Sequence, residues 1–179
     1  MITKRQVEKG RQEAVRLLEK ANIKYTEKEL CEMEVTDFGL ANYPAEGAQI
    51  LTFLNTQKVG FKVICLMENQ ILPEHMHTAS LGETGKEETF RGLYGDTHLF
   101  LPGDDGRDYP YPDGKGDFYT CRREKIIRPQ DQITLDPDIP HWIMGGVGGC
   151  VVYSISSWAR CALDPFTDPN VVRETIIID

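Results

Sequence analysis

His75 and His77 flank a single methionine, in a chain that has only four histidines. Side chains alternate across an extended strand, so residues i and i+2 share a face, and an H-x-H puts two imidazoles where one ion can bridge them. Glu88, in the run GKEETFR from Gly85 to Arg91, offers a carboxylate. By the same parity Lys86, Glu88 and Phe90 share a face, while Glu87, Thr89 and Arg91 take the other. A third imidazole stands at His141, just after Pro137 and Pro140, which restrict the backbone there. Three imidazoles and one carboxylate, with positions left for water or substrate, suit a divalent first-row metal such as Mn, Fe, Ni or Zn in an open, catalytic style of site. Turning Glu88 inward turns Lys86 inward with it and sets an ammonium beside the ion. The remaining histidine, His98 in DTHLF, reads as an ordinary polar strand residue and stays outside the set.

Strands must hold these groups, and the chain supplies them. From Ala48 onward it breaks into short runs rich in Val, Ile, Thr, Phe and Tyr, punctuated by Gly, Pro, Asn and Asp. Strands are expected at about 48–54, 60–67, 71–77, 86–94, 97–101, 118–122, 132–136, 141–144 and 150–157. So many antiparallel candidates with no helices between them argue for a β-sandwich or barrel. Ahead of them, T-K-R-Q at Thr3–Gln6 and T-E-K-E at Thr26–Glu29 match the capping box, with Ile2/Val7 and Tyr25/Leu30 placed as hydrophobic staples. They predict a helix over about 4–21 and a shorter one ending before Asp37. The whole is read as one domain, with residues 1–36 a helical cover and 40–173 the barrel and a closing segment. Residues 103–117, GDDGRDYPYPDGKGD, are too polar and too rich in Gly and Pro for a strand, and Tyr109 and Tyr111 make a lid worth considering.

Composition narrows the partners. With 40% hydrophobic residues the chain can bury a real core, and a formal net charge of −8 argues against nucleic acid or an anionic membrane surface as a ligand. Small neutral or cationic partners fit better. No apolar run approaches the length of a membrane span and the N-terminal stretch is charged, so the cytoplasm is the expected location. Cys31, Cys65, Cys121, Cys150 and Cys161 are odd in number and lack C-x-x-C spacing, which signals neither a disulfide framework nor a thiolate zinc site.

Residues 75–95 resemble the first cupin motif, with Glu88 and Gly95 keeping its six-residue interval, and residues 131–141 resemble the second, with Pro137 ahead of His141. Ten residues separate His77 from Glu88, where the common motif has only a few, and the second motif lacks its Gly. The longer insertion is itself informative: PEHMH followed by GKEETFR and a late FTDP segment resembles the D-lyxose isomerase family of cupins over about residues 40–173. That resemblance implies a jelly-roll barrel, a bound Mn²⁺, and an aldose–ketose isomerase that interconverts D-lyxose and D-xylulose. It places the metal ligands on His75, His77, Glu88 and His141 and the family's lysine on Lys86.

Moving a carbonyl between C1 and C2 requires a base at carbon and stabilised charge on the neighbouring oxygens. Lys86 is the expected partner of the developing enediolate. Asp164 and Asp168, in LDPFTDPN within the family segment, are the preferred bases, with Glu74 and Glu174 behind them. Phe90, Trp142 and Tyr111 are the expected walls against the sugar. A homodimer is expected from the resemblance and from the need to cover sheet edges. The alternatives are a phosphosugar isomerase with Arg122 or Arg123 on the phosphate, a metal-dependent dioxygenase, and a non-catalytic sugar-binding cupin.

Overall fold

Thr3 and Thr26 do open helices. The computed structural model describes residues 1–79, 82, 84–157 and 163–179, and its elements run β1 (Ile2–Thr3), α1 (Lys4–Lys20), α2 (Glu27–Cys31), β2 (Glu34–Thr36), β3 (Ala48–Asn55), β4 (Val59–Leu66), β5 (Ile71–His75), β6 (Glu88–Tyr94), β7 (Thr97–Leu101), β8 (Arg123–Ile127), β9 (Gln132–Leu135), β10 (His141–Gly145), β11 (Cys150–Ser157) and β12 (Ile177–Ile178). Both capping boxes are complete, each Thr side chain accepting from the backbone three residues on and the Gln6 or Glu29 side chain returning to the cap. A cap of this kind stabilises its helix by about 1 kcal/mol.

Strands β2 to β11 form two antiparallel sheets that face each other as a jelly roll, and β1 and β12 pair in a separate two-stranded parallel sheet. The larger has the order β2-β3-β4-β11-β6-β9 and the smaller β5-β10-β7-β8. Alternation sorts their side chains. Ile50, Ile64, Leu66, Phe90 and Val152 from the larger sheet meet Leu72, Leu99, Leu101, Ile127 and Ile143 from the smaller to fill the interior. The outer face of the larger sheet offers Leu51, Val63, Cys65 and Val151, and α1 covers it with Val7, Ala14, Leu17 and Leu18. Non-polar area removed from water on both faces is what holds the layers together.

One expected strand is displaced. Residues 118–122 do not pair as a strand; Arg123–Ile127 takes that place beside β7, with Thr97 opposite Ile127 and Leu101 opposite Arg123. As an edge strand with one wet face, R-E-K-I-I carries the charges that disguise it, while Tyr119 and Cys121, whose apolar alternation mimics a strand, are buried in the connection instead. The loop 103–117 leads into that connection along the outer face of the smaller sheet. Tyr109 meets Phe100 edge-on and Tyr111 stacks on Tyr119.

Cys31 is exposed and Cys65, Cys121 and Cys150 are buried, all as free thiols. Cys161 lies outside the described residues. Among the described residues no helix is long and apolar enough to cross a membrane.

Candidate active site

The barrel interior ends at one mouth in four buried polar residues: His75, at the last position of β5; His77, two residues on; Glu88, the first of β6; and His141, the first of β10. Antiparallel pairing sets His141 directly opposite His75. Glycine brings the remaining pieces together. A Cβ on Gly85 would lie 2.0 Å from the His77 carbonyl oxygen, so only glycine lets the chain entering β6 pass this close to the H-x-H. One ligand-type atom from each of the four lies within 4.8 Å of all the others.

The imidazoles are held for coordination. His75 Nδ1 and His141 Nδ1 are each 2.9 Å from a backbone carbonyl, Pro73 and Ile139, so Nδ1–H donates there and Nε2 is left with its lone pair. His141 Nε2 is buried with no hydrogen-bond partner, 3.7 Å from Glu88 Oε2. A buried imidazole nitrogen left in this way beside a carboxylate is what a cation would satisfy, and the donor set suits a divalent first-row ion. Burial, then the neighbouring His141 and His77, pushes His75 well below the usual histidine range, which keeps it neutral and able to ligate. Burial alone would raise the Glu88 carboxyl, but Lys86, with His141 and His77, outweighs it and holds Glu88 well below the usual carboxylate range. Ser154 of β11 donates a short hydrogen bond to Glu88 Oε1.

Two charged side chains stand beside the cluster. Lys86 is buried, its Nζ 3.5 Å from Glu88 Oε1 and 3.8 Å from Asp164 Oδ2. Asp164 Oδ1 is 3.1 Å from His77 Nδ1. Burial pulls His77 down, yet the Asp164 and Glu88 carboxylates outweigh it and raise its pKa above the ordinary value. Asp164 arrives on a C-terminal segment that pairs with the edge of β5: Phe166 bridges His75, Met76 N–H donates to the Pro165 carbonyl at 3.1 Å and Thr167 N–H to the Glu74 carbonyl at 3.0 Å. Phe166 thereby stacks on the His75 ring, 5.3 Å between centroids.

Of the other expected residues, Phe90 lines the cavity beside His141. Trp142 does not. It follows His141 directly in β10, so alternation sends it to the outer face, where it stacks on Phe100 at 3.6 Å and donates to the Cys121 carbonyl. Tyr111 lies on that outer face too, against Tyr119. Asp168 is buried away from the cluster, its Oδ2 3.0 Å from Lys115 Nζ and its Oδ1 accepting from Asn170 N–H. Glu74 also points outward and accepts from Thr120, Cys121 and Thr167 at 2.8 Å each. Glu174 is exposed, and His98 pairs with Glu124.

The cavity has walls that the motifs did not single out: Lys62, Ser154, Phe166 and Arg173. Lys62 and Ser154 face each other across β4 and β11, and each shares the inward parity of an apolar neighbour two positions away, Ile64 and Val152. That alternation is the signal by which both can be found in the sequence.

A jelly roll carrying three imidazoles and a carboxylate at one mouth defines the class: a cupin with a candidate metal centre. The chain is 38% identical over 175 residues to the D-lyxose ketol-isomerase of a Thermofilum species, covering 97% of each. It is 36% identical over 170 residues to the D-lyxose ketol-isomerase of Cohnella laeviribosi, covering 94% of this chain and 93% of that one. The D-lyxose/D-mannose isomerase of Thermosediminibacter oceani is 35% identical over 176 residues, with 97% of each covered. The chain belongs to the D-lyxose ketol-isomerase family and is a sugar isomerase. Among solved structures, ligand-free L-ribose isomerase of Cellulomonas parahominis superimposes with a TM-score of 0.80 over 99% of this chain and 98% of that one, at 16% identity. The L-ribose isomerase of Acinetobacter sp. DL28, solved with L-ribose, gives the same TM-score over the same shares at 16% identity, a likeness of fold. No protein-family model matches the chain.

Proposed function

We propose that this protein interconverts D-lyxose with D-xylulose, and D-mannose with D-fructose, as a divalent-metal enzyme. The observation that carries the reading is the buried group His75, His77, Glu88 and His141 with Lys86 and Asp164 both beside it. An ion held by the four would act as a Lewis acid toward the C1 and C2 oxygens of the open-chain sugar. Mn²⁺, the ion that the family resemblance implies, suits a mixed set of imidazoles and a carboxylate with positions to spare.

The chain's own residues supply the proton chemistry. Asp164 takes the proton from C2 of the aldose, the C–H electrons form the C1–C2 double bond, and the C1 carbonyl becomes an enediol oxygen. Lys86 donates a hydrogen bond to that oxygen as charge develops, which is where a positioned ammonium in a dry site is most effective. Lys86 gives O1 its proton and takes the O2 proton in exchange; as the C2–O2 carbonyl forms, the C1–C2 electrons take the proton back from Asp164 at C1, which gives the ketose. Phe90 and Phe166 keep water from the carbanion-like carbon. Asp164 serves better than Asp168 in this role because Asp168 is already bound to Lys115.

The sugar is proposed to be unphosphorylated. A phosphate needs several converging cationic or N–H donors. Arg122 and Arg123 do not line the cavity, and Arg122 packs near the Tyr111 ring; of the cations that do line it among the described residues, Lys62, Lys86 and Arg173, Arg173 is held by both oxygens of Glu34 and Lys86 stands beside Glu88 and Asp164. A homodimer in the cytoplasm is part of the proposal, carried over from the family resemblance. Metal analysis of the purified protein, combined with an aldose panel assayed for ketose, tests the reading. Metal-loaded protein that turns over neither D-lyxose nor D-mannose would sink it.

A further inference from the structure

Asp164 has no place at the cluster unless the segment that carries it is held there, and part of that hold comes from the loop 103–117. Lys115, on the loop 103–117, puts its Nζ 2.9 Å from the Glu46 carboxylate and 3.0 Å from Asp168 Oδ2. Both carboxylates are buried, Glu46 completely and Asp168 to 4% exposure. Glu46 is a fixed post. Its segment bonds to the start of β5 through Gly47 N–H to the Ile71 carbonyl and Ile71 N–H to the Ala45 carbonyl, and Tyr119 OH donates to its carboxylate at 2.7 Å. Asp168 is the second partner, two residues beyond Phe166 and four beyond Asp164 on the segment that closes over the cluster.

We propose that Lys115 is a positioning residue: it clamps Asp168 to Glu46 and so sets the C-terminal segment, with Asp164 and Phe166, against His77 and His75. This rests on the reading of Asp164 as the proton-transferring base. The physical case is one of charge. One ammonium answers two buried carboxylates from separate parts of the chain, and burying carboxylates without a partner is costly enough to displace the less firmly held one. Without Lys115 the two are like charges within reach of each other; the segment keeps its backbone pairing with β5, Thr167 Oγ1 on Glu74, Val172 N–H on the Phe38 carbonyl and Arg173 on Glu34, and the repulsion shifts the stretch between those anchors, where Asp164 and Asp168 lie. A loop remote from the chemistry is thereby tied to the placement of the base, and misplacement of a reacting group by about 1 Å costs on the order of 100-fold in rate.

The test uses full-length, metal-loaded protein carrying Lys115→Met, and Asp168→Asn as a milder, near-isosteric second variant should the first fail to fold. Expected are retained metal content, a fall in kcat of roughly 10- to 100-fold that exceeds any change in KM, and faster amide exchange at Met76 and Thr167, the two N–H groups that pair β5 with the segment. In an Asp164→Asn background Lys115→Met should cost little further rate, since it acts through Asp164. Unchanged exchange at both amides in the folded variants overturns the clamp. So does a lower melting temperature with unchanged kcat per metal-loaded molecule, which would make Lys115 a stabilising contact only. Should Asp164→Asn keep wild-type turnover, the assignment of the base fails instead, and the clamp is then judged on amide exchange alone.

Discussion

Ser154→Ala isolates the support of the candidate metal cluster from the cluster itself. Ser154 is buried, and its hydroxyl donates to Glu88 Oε1 while Glu88 Oε2 faces His77 and His141. One oxygen of the proposed ligand is thus pinned by the barrel wall, which aims the other at the imidazoles. Alanine removes the donor without adding volume. A hydrogen bond to a charged group contributes about 1.5–3 kcal/mol. At about 1.4 kcal/mol per factor of ten, its loss corresponds to roughly 10- to 100-fold weaker metal binding, the range found when outer partners of metal ligands are removed. The assay is a Mn²⁺ titration of demetallated protein against a competing chelator, followed by kcat at saturating Mn²⁺. Affinity should fall by that factor while kcat at saturation stays near wild type, because Ser154 itself handles no proton of the sugar. The metal-free variant should also melt earlier, since a buried carboxylate loses a donor. Unchanged Mn²⁺ affinity in a folded variant would refute the reasoning and leave Glu88 oriented by Lys86 and the histidines alone.

His77→Ala and Glu88→Ala should each abolish bound metal and activity, while His98→Ala keeps both; full metal occupancy in either of the first two removes that residue from the ligand set. Lys86→Met should retain metal and lose roughly two orders of magnitude or more in turnover, the scale of a positioned acid–base group, and wild-type rates there would make Lys86 structural. Asp164→Asn should lose turnover on the same scale, and a larger loss from Asp168→Asn than from Asp164→Asn would reverse their roles. Fructose 6-phosphate and mannose 6-phosphate should have lower kcat/KM than D-lyxose and D-mannose; the opposite order would point to a phosphate subsite among the cationic walls Lys62, Lys86 and Arg173.

What the sequence discloses about this site follows the reach of the interactions involved. Alternation is local, so the shared face of His75 and His77 and the inward turn of Lys86 with Glu88 can be read from the chain, and all four meet in the cavity region. The same rule applied to His141 and Trp142 sends the indole out of the cavity, which composition, favouring an aromatic wall beside a sugar, conceals. Capping boxes are local too, and both helices start where Thr3 and Thr26 place them. β8 escapes because an edge strand needs only one apolar face, so its charges read as a turn while the buried alternation of Tyr119 and Cys121 reads as the strand. Asp164 and Asp168 mark the limit. They share a segment, a residue type and a following proline; Asn170 caps Asp168 locally, but the partners that separate their roles are 53 or more residues away: Lys115 holds one, His77 and Lys86 face the other. The choice between them is made by the pairing of Phe166 with His75, a single bridge that closes the C-terminal segment across the end of β5 and turns one carboxylate toward the candidate metal ligands and the other toward the loop. In this protein the proposed base is therefore a product of long-range closure, and the residues that decide its position are to be sought in what holds that segment down.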